Sequence, residues 1–355
     1  MKKKNSNVLS LKNQVLNNKK IAIIYYKFEL ILKNCINKNS FVIAVSGGPD
    51  SLALSALGKV YAQENKMKIF FVLIDHGIRK NSNNEAKLVK KLLKKKGISL
   101  NIVKNKKKIS NNIQKKAREI RYNYLLEFCK KKNINFILTG HHRDDQIETF
   151  LIRLSRGSGV QGLSSMKKIT KLSARIKLIR PLLEIKKKDL TYTAKSIFKK
   201  FIKDPSNKDK KYLRTKIRLL INNFEKNGIN LDQITRSINN LASTRDTLNN
   251  YISKIIKSCV KIKGSKTYIK TKSLFIESDE IQIKILGNVI KRISKNYYPP
   301  RTMKILNLLK RVKSKKNIKF TLGGCILERS KDNLVILREN NRKINQKNQQ
   351  FKKLI

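Results

Sequence analysis

The 355-residue chain predicts an α/β fold, a doubly wound parallel sheet followed by a smaller α+β domain. Three observations point there. Short apolar runs alternate with longer amphipathic segments, the pattern of parallel strands joined by crossover helices. Polar loops rich in Gly, Asp and His follow the apolar runs, where open α/β sheets place their ligands. Past about residue 226 the alternation gives way to a long helical stretch and then to short strands separated by turns.

The first twenty residues are polar, rich in Lys and Asn, and read as an extension. Residues 22–36 follow as a helix packed on the first domain. Its apolar stretch, IAIIYYKFELILKNCI, carries Lys27, Glu29 and Lys33, so it is too short and too charged to span a bilayer, and no small-residue cleavage site follows. A cytoplasmic protein without a membrane partner is expected. Strands are predicted at 41–45, 69–74, 99–103 and 135–139, with helices near 51–64, 83–96 and 111–132, inside a first domain of residues 21–225.

The passage from Phe41, FVIAVSGGPDSLALSAL, is the most informative. A buried-type strand, a tight turn and a helix start together form an anion site. Gly47 and Gly48 let the backbone approach a ligand, the helix dipole near Asp50 favours phosphate, and Ser46 and Ser51 add hydroxyls at either end of Pro49 and Asp50. An ordinary strand-to-helix turn would need one glycine and one capping residue. The segment is not a G-x-x-x-x-G-K-[ST] loop, because Gly58-Lys59 lies inside the helix and Val60 follows it.

After the second strand, Asp75 and His76 are placed to hold a base or ribose and Arg79 to meet a phosphate, although Asp-His-Gly is also a common turn. On the next helix the stripe Ile113, Ala117, Ile120 and Tyr124 faces the core, while Arg118 and Arg121 share another face. The default for that pair is a solvated basic surface. The richest cluster, Thr139-Gly-His-His-Arg-Asp-Asp-Gln-Ile-Glu-Thr149, runs from the fourth strand into a helix. There Asp145 and Glu148 are neighbours on the first turn, with Ile147, Leu151 and Leu154 on the buried side. Dipole stabilisation alone would select such carboxylates. Two of the three histidines, His141 and His142, crowd the same loop, so the carboxylates beside a nucleotide could hold Mg²⁺ or a cationic amine.

Gly157-Ser-Gly159-Val-Gln-Gly162 matches G-x-G-x-x-G but follows a helix, so it reads as a helix stop and a mobile loop. Arg180-Pro-Leu-Leu183 introduces a helical segment, and Asp204-Pro-Ser-Asn-Lys-Asp209 leads through Tyr212 to Arg214 and Arg218, one helical turn apart and suited to phosphates. Residues 226–338 read as the α+β domain: helix at 231–260, strand from Thr267 to Ile276, helix at 279–296, a helix after Pro299-Pro300, and a meander from Ile318 to Leu337. Residues 339–355, rich in Asn, Gln and Lys, read as a disordered tail.

Lys and Arg number 83 against 23 Asp and Glu, a net charge of +60, whose sign favours a polyanion such as nucleic acid. Enrichment in Lys, Asn and Ile of the kind an AT-rich genome produces accounts for part of its size. The four cysteines, Cys35, Cys129, Cys259 and Cys325, show neither a C-x-x-C pair nor a nearby histidine, so no disulfide framework, zinc or iron–sulfur site is indicated.

SGGPDS resembles the SGGxDS loop of the PP-loop ATP pyrophosphatases, which implies transfer of AMP rather than of the γ-phosphoryl group. Taken in order, SGGPDS, DHGIR, AREIRY, GHHRDDQIET, RGSGVQGL, RPLL and DPSN…R…IR resemble the tRNA(Ile)-lysidine synthases over about residues 20–225. The resemblance implies ATP, Mg²⁺ and L-lysine acting on the wobble cytidine of the CAU-anticodon isoleucine tRNA, and it admits a homodimer. It assigns nucleotide binding to Ser46, Gly47, Gly48, Pro49, Asp50, Ser51, Asp75, His76 and Gly140. Catalysis falls to Asp50, His141, Asp145, Glu148, Arg118 and Arg121, with lysine on Asp145 and Glu148. Metal ligation falls to Asp50 and Asp144, and tRNA contact to Arg214 and Arg218. The competing readings are a PP-loop tRNA thiolase, which depends on cysteines this chain does not group, a small-molecule synthetase, and a non-catalytic RNA-binding protein.

Overall fold

Alternation within a single strand sets the two faces of the sheet. In β1 (Phe41–Val45), Phe41, Ile43 and Val45 point into one core and Val42 and Ala44 into the other. In the computed structural model, which describes residues 11–36, 39–78, 81–105, 113–202, 213–296, 299–314, 318–330 and 332–339, β1 is central. It pairs in parallel with β2 (Ile69–Asp75) on one side and β4 (Phe136–Leu138) on the other, with Phe41 opposite both Ile69 and Phe136. β2 pairs with β3 (Leu100–Lys104), and β4 with β6 (Lys177–Ile179), which carries β5 (Ile169–Lys171) antiparallel at the edge.

The order β3-β2-β1-β4-β6-β5 makes the chain walk outward from β1 and then return to its other side. The reversal falls between β1 and β4. Ligands in open α/β sheets bind beyond the carboxyl ends of the strands at this switch point, and the loops leaving β1 and β4 are SGGPDS and GHHRDD. The β5–β6 hairpin was not expected from the sequence; its strands are three residues each.

One face is covered by the helices Lys19–Cys35, Pro49–Glu64, Ser82–Lys94 and Lys187–Phe198, which bury Phe28, Leu54, Val89 and Ile197. The first of these starts ahead of the apolar run because Asn18 caps it, its side chain accepting from the Ile21 N–H at 3.2 Å. The helix Ile113–Lys131 covers the other face through Leu125 and Cys129. Of its expected stripe, Ala117 is buried but Ile113 is exposed. A further cluster of Ile147, Ile217, Ile221, Leu231 and Ile238 joins the helices Arg143–Leu154 and Leu213–Lys226 to the start of Leu231–Cys259. Leu154 is 51% exposed, so the stripe begun by Ile147 does not continue to the helix end.

The chain divides into two compact units after Ala242, within the helix Leu231–Cys259. The second holds a five-stranded antiparallel sheet in the order β7-β8-β11-β10-β9, comprising Val260–Lys263, Lys266–Lys270, Asn333–Arg338, Cys325–Ser330 and Ile318–Leu322. The helices Asp279–Ser294 and Thr302–Ser314 pack on it through Leu286, Ile290, Leu308 and Leu309. The strand expected from Thr267 to Ile276 is β8 followed by a short helix, Thr271–Phe275. Residues 340–355 of the expected tail, Arg79, and residues 204–209 with Tyr212 lie outside the described residues. Among the described residues no helix is long and apolar enough to cross a membrane.

Candidate nucleotide and amine site

The SGGPDS loop is held from within. The Ser51 hydroxyl donates to the Gly48 carbonyl at 3.0 Å and accepts from the Ser46 N–H at 3.2 Å, with the Ser46 hydroxyl also 3.2 Å away. Pro49 opens the helix at its first position, where no N–H is missed. Gly47 has φ +82°, and a Cβ there would lie 2.5 Å from Val89 Cγ2, so both the backbone angle and the space require glycine. Its carbonyl accepts from the Ile202 N–H at 3.0 Å.

The loop from β4 docks against this one, backbone on backbone. A Cβ on Gly140 would sit 3.0 Å from the Asp50 carbonyl oxygen and 3.2 Å from the Ser51 nitrogen. Next come the two histidines, which take different environments. His141 Nδ1 lies 2.8 Å from Thr139 Oγ1. Its pKa is pushed down to about 3, first by burial and then by Arg180, Arg118 and Arg214, against the pull of Asp145. His142 is 1% exposed and caps the next helix: its Nδ1 accepts from the Asp145 N–H at 3.3 Å, and the Asp145 carboxylate accepts from the His142 N–H at 3.2 Å. His142 Nε2 faces Asp50 at 3.6 Å and Asp145 at 3.5 Å. Burial opposes protonation of His142, but the two carboxylates outweigh it and raise its pKa. Asp145, although desolvated, is held below the usual carboxylate range by His142, His141 and Arg214.

Glu148 is 2% exposed and doubly engaged. Arg214 Nε donates to Oε2 at 2.8 Å and Arg218 Nε to Oε1 at 2.6 Å, while Arg214 also reaches Asp145 at 3.8 Å. The two arginines expected to meet tRNA phosphates thus turn onto the carboxylates expected to hold lysine. Arg118 stacks on Tyr122 at 5.1 Å and acts electrostatically on His141, as Arg121 does on His76. Burial, and then Arg121, lowers His76 to about 4; its Nδ1 is buried without a hydrogen-bond partner. The buried Asp75 carboxylate accepts from the Gly77 N–H at 3.1 Å.

Asp50 Oδ1 is likewise buried without a hydrogen-bond partner, and a bare carboxylate oxygen suits a hard cation such as Mg²⁺. Asp144 meets Arg143 Nε at 3.6 Å and accepts from the Lys187 N–H at 3.5 Å. The loop expected to be mobile contains a short helix, Val160–Leu163, and is tied down. Gln146 bonds both the N–H and carbonyl of Met166, and Arg153 donates to the Gly162 carbonyl at 2.6 Å. Three residues near the site were given no role there from the sequence. His142 is the histidine that faces Asp50. Arg180 is buried and donates to the Lys167 carbonyl at 2.7 Å and to Thr170 at 2.9 Å, and Lys187 lies 3.7 Å from Asp50. An arginine beside Pro-Leu-Leu at a strand end was a visible signal; a lysine among three lysines was not.

The histidine shifts give a pH prediction. For His141 and His76 the folded-state pKa lies below the unfolded value of about 6.5, so the folded state binds fewer protons. Their contribution to stability is complete above about pH 6.5 and is lost as pH falls toward about 4 and then about 3. Urea midpoints measured from pH 7.5 to 4.5 should fall more in the parent chain than in His141→Asn; parallel curves would show that His141 is not buried neutral.

The family model described as a PP-loop domain matches residues 20–224. The tRNA(Ile)-lysidine synthase of Wolbachia pipientis wMel is 34% identical over 326 residues, 89% of this chain and 75% of the relative. That of Orientia tsutsugamushi (strain Boryong) is 36% identical, covering 84% and 69%. Among solved structures, a U34-tRNA thiolase from Methanococcus maripaludis with its [4Fe-4S] cluster superimposes with a TM-score of 0.54 at 21% identity, over 63% of this chain and 79% of that one, a likeness of fold.

Proposed function

The chain belongs to the tRNA(Ile)-lysidine synthase family of PP-loop proteins, ATP-dependent ligases that form a carbon–nitrogen bond, and from that membership we propose that it converts the wobble cytidine of the CAU-anticodon isoleucine tRNA to lysidine in the cytoplasm. The observation that carries the proposal is the seating of Gly140 on the Asp50–Ser51 backbone, which joins an anion-binding loop to a carboxylate-rich loop at the switch point of the sheet.

In the first step the cytidine C2 oxygen attacks the α-phosphate of ATP, the bond to the β-phosphate breaks, and pyrophosphate leaves. The backbone N–H groups of the loop and the positive end of the helix that Pro49 opens hold the phosphates, in a loop already shaped by its own Ser46–Ser51 and Ser51–Gly48 bonds before the charge develops. Asp50 and Asp144 are the residues that would hold Mg²⁺, which would supply positive charge against the departing pyrophosphate. Asp75 and His76 face the nucleoside. His141 stays neutral, with Nδ1 on Thr139, and Nε2 is the atom that meets the nucleotide. Arg118 and Arg121 add positive potential over the activated base.

In the second step the lysine ammonium gives a proton to a neighbouring carboxylate or phosphate oxygen, the freed amine attacks C2, and the C2–oxygen bond breaks as AMP leaves. Asp145 and Glu148 attract the lysine ammonium, and Arg214 and Arg218 cover Glu148 until lysine or RNA phosphate engages them. The anticodon base is splayed from its stack to reach the site, and the net charge of +60 supplies the general attraction for RNA. A thiolase reading lacks its cluster ligands: Cys129 lies in a core behind the sheet, and Cys259 and Cys325 in the core of the second unit.

The test is incorporation of labelled lysine into unmodified CAU-anticodon isoleucine tRNA with ATP and Mg²⁺, followed by nucleoside analysis. Labelled lysidine is expected. Pyrophosphate release without lysine incorporation would reject the second substrate, and neither product from folded protein would favour an RNA-binding role.

A further inference from the structure

Residues 46 to 51, Ser-Gly-Gly-Pro-Asp-Ser, contain no cation, although the loop is read as gripping the most highly charged part of ATP. Asp50 adds a negative charge at the same place. His142 faces that carboxylate but is 1% exposed and is committed to capping its helix. Beyond the Mg²⁺ that Asp50 would hold, a triphosphate arriving here calls for a protein cation with an exposed head and freedom to move.

We infer that Lys187 is that cation, binding the pyrophosphate end of the nucleotide and exchanging Asp50 for phosphate oxygens as the ligand enters. The inference rests on the reading that ATP enters at Ser46–Ser51. Tertiary pairing fixes the position of Lys187. Leu182 bridges His142 in parallel, and the Arg143 N–H donates to the Ile185 carbonyl at 3.0 Å, so the chain after Arg180 runs alongside the GHHRDD loop. Lys187 then opens the helix to Phe198, its N–H directed at Asp144 at 3.5 Å and its ammonium 3.7 Å from Asp50 Oδ2. Its side chain is 42% exposed. An ion pair that long and that wet is weak, so holding Asp50 in place is a poor account of it. A compact charge on a flexible stem is suited to following phosphates as they arrive and depart. The flanking Lys186 is engaged differently, reaching Asp232 at 3.4 Å.

The experiment is calorimetric titration of the full chain with inorganic pyrophosphate and, separately, with AMP, both with Mg²⁺ present. Lys187→Met should weaken pyrophosphate binding about tenfold or more, and Lys187→Arg should stay within about threefold of the parent. AMP affinity should be the same in all three, and the ligand-free melting temperature should move by no more than about 2 °C. Unchanged pyrophosphate affinity in Lys187→Met overturns the inference. So does an equal loss for AMP, or a parent chain that does not bind pyrophosphate; lower thermal stability with unchanged affinity would leave Lys187 as a partner of Asp50 alone. Neither titration needs tRNA or lysine. A chain that binds pyrophosphate through Lys187 but makes no lysidine would therefore keep this inference and reject the proposed reaction.

Discussion

Gly140→Ala should slow tRNA-dependent pyrophosphate release about tenfold in a chain that still folds. The added methyl would meet three backbone atoms, the Asp50 carbonyl oxygen at 3.0 Å, its carbon at 3.1 Å and the Ser51 nitrogen at 3.2 Å. None of these can rotate away as a side-chain tip could, so the two loops must separate. Asp50, His141 and the Ser46–Ser51 donors sit on opposite sides of that contact. A misplacement on the order of 1 Å between reacting groups costs about 10²-fold in rate, and contacts at 3.0–3.2 Å require a shift of only a few tenths of an ångström, for about tenfold. Overpacking of this kind costs about 1–3 kcal/mol of stability, which for a unit of this size is a modest fall in melting temperature. Gly228→Ala provides the control: it has φ +78° with open space around it, so it carries a conformational cost without touching the site. Turnover near the parent value in Gly140→Ala would mean that the loop contact does not position the reaction.

The parallel strands β1 to β4 were legible because each is a bounded apolar run, and their loops because the residues that serve a phosphate, Gly, Ser, Asp and His, stand out from a Lys- and Ile-rich background. What was missed depended on partners distant in sequence. Ile169–Lys171 and Lys177–Ile179 are too short to alternate, and they become strands only because β4 presents an unpaired edge to β6. Val260–Lys263 follows a 29-residue helix whose pattern runs straight into it, and its pairing with β8 is what ends the helix. Leu154 and Ile113 carry the right periodicity but lie at helix ends that leave them exposed.

The site was legible as a set of loops but not as a set of contacts. The sequence put two histidines side by side, and only the turn of the chain at β4 gives His142 to Asp50 and His141 to Thr139. Similarly, Arg214 and Arg218 read as an RNA-facing pair because helical spacing says which residues share a face, not what that face meets. It meets Glu148.

Glu148→Gln should lower lysine use about 10- to 100-fold while adenylation is partly retained. The substitution keeps the shape and removes the charge, so the amine loses a charge-assisted partner worth about 1.5–3 kcal/mol. The same change releases two guanidiniums. In the parent chain Arg218 is desolvated, but its bond to Glu148 more than offsets this and raises its pKa. In the variant the arginines lose the carboxylate between them. Removing one partner of a buried pair costs about 3–5 kcal/mol, and the figure here should be smaller because Arg214 is 47% and Arg218 30% exposed and water can take over part of the role. Stability and chemistry therefore have to be read separately, the first by urea unfolding and the second by two assays on the same preparation. A higher KM for lysine with pyrophosphate release largely intact is the expected pattern. If both half-reactions fall together, in step with the loss of stability, Glu148 is the structural anchor of Arg214 and Arg218, and Asp145 alone is left to attract the amine.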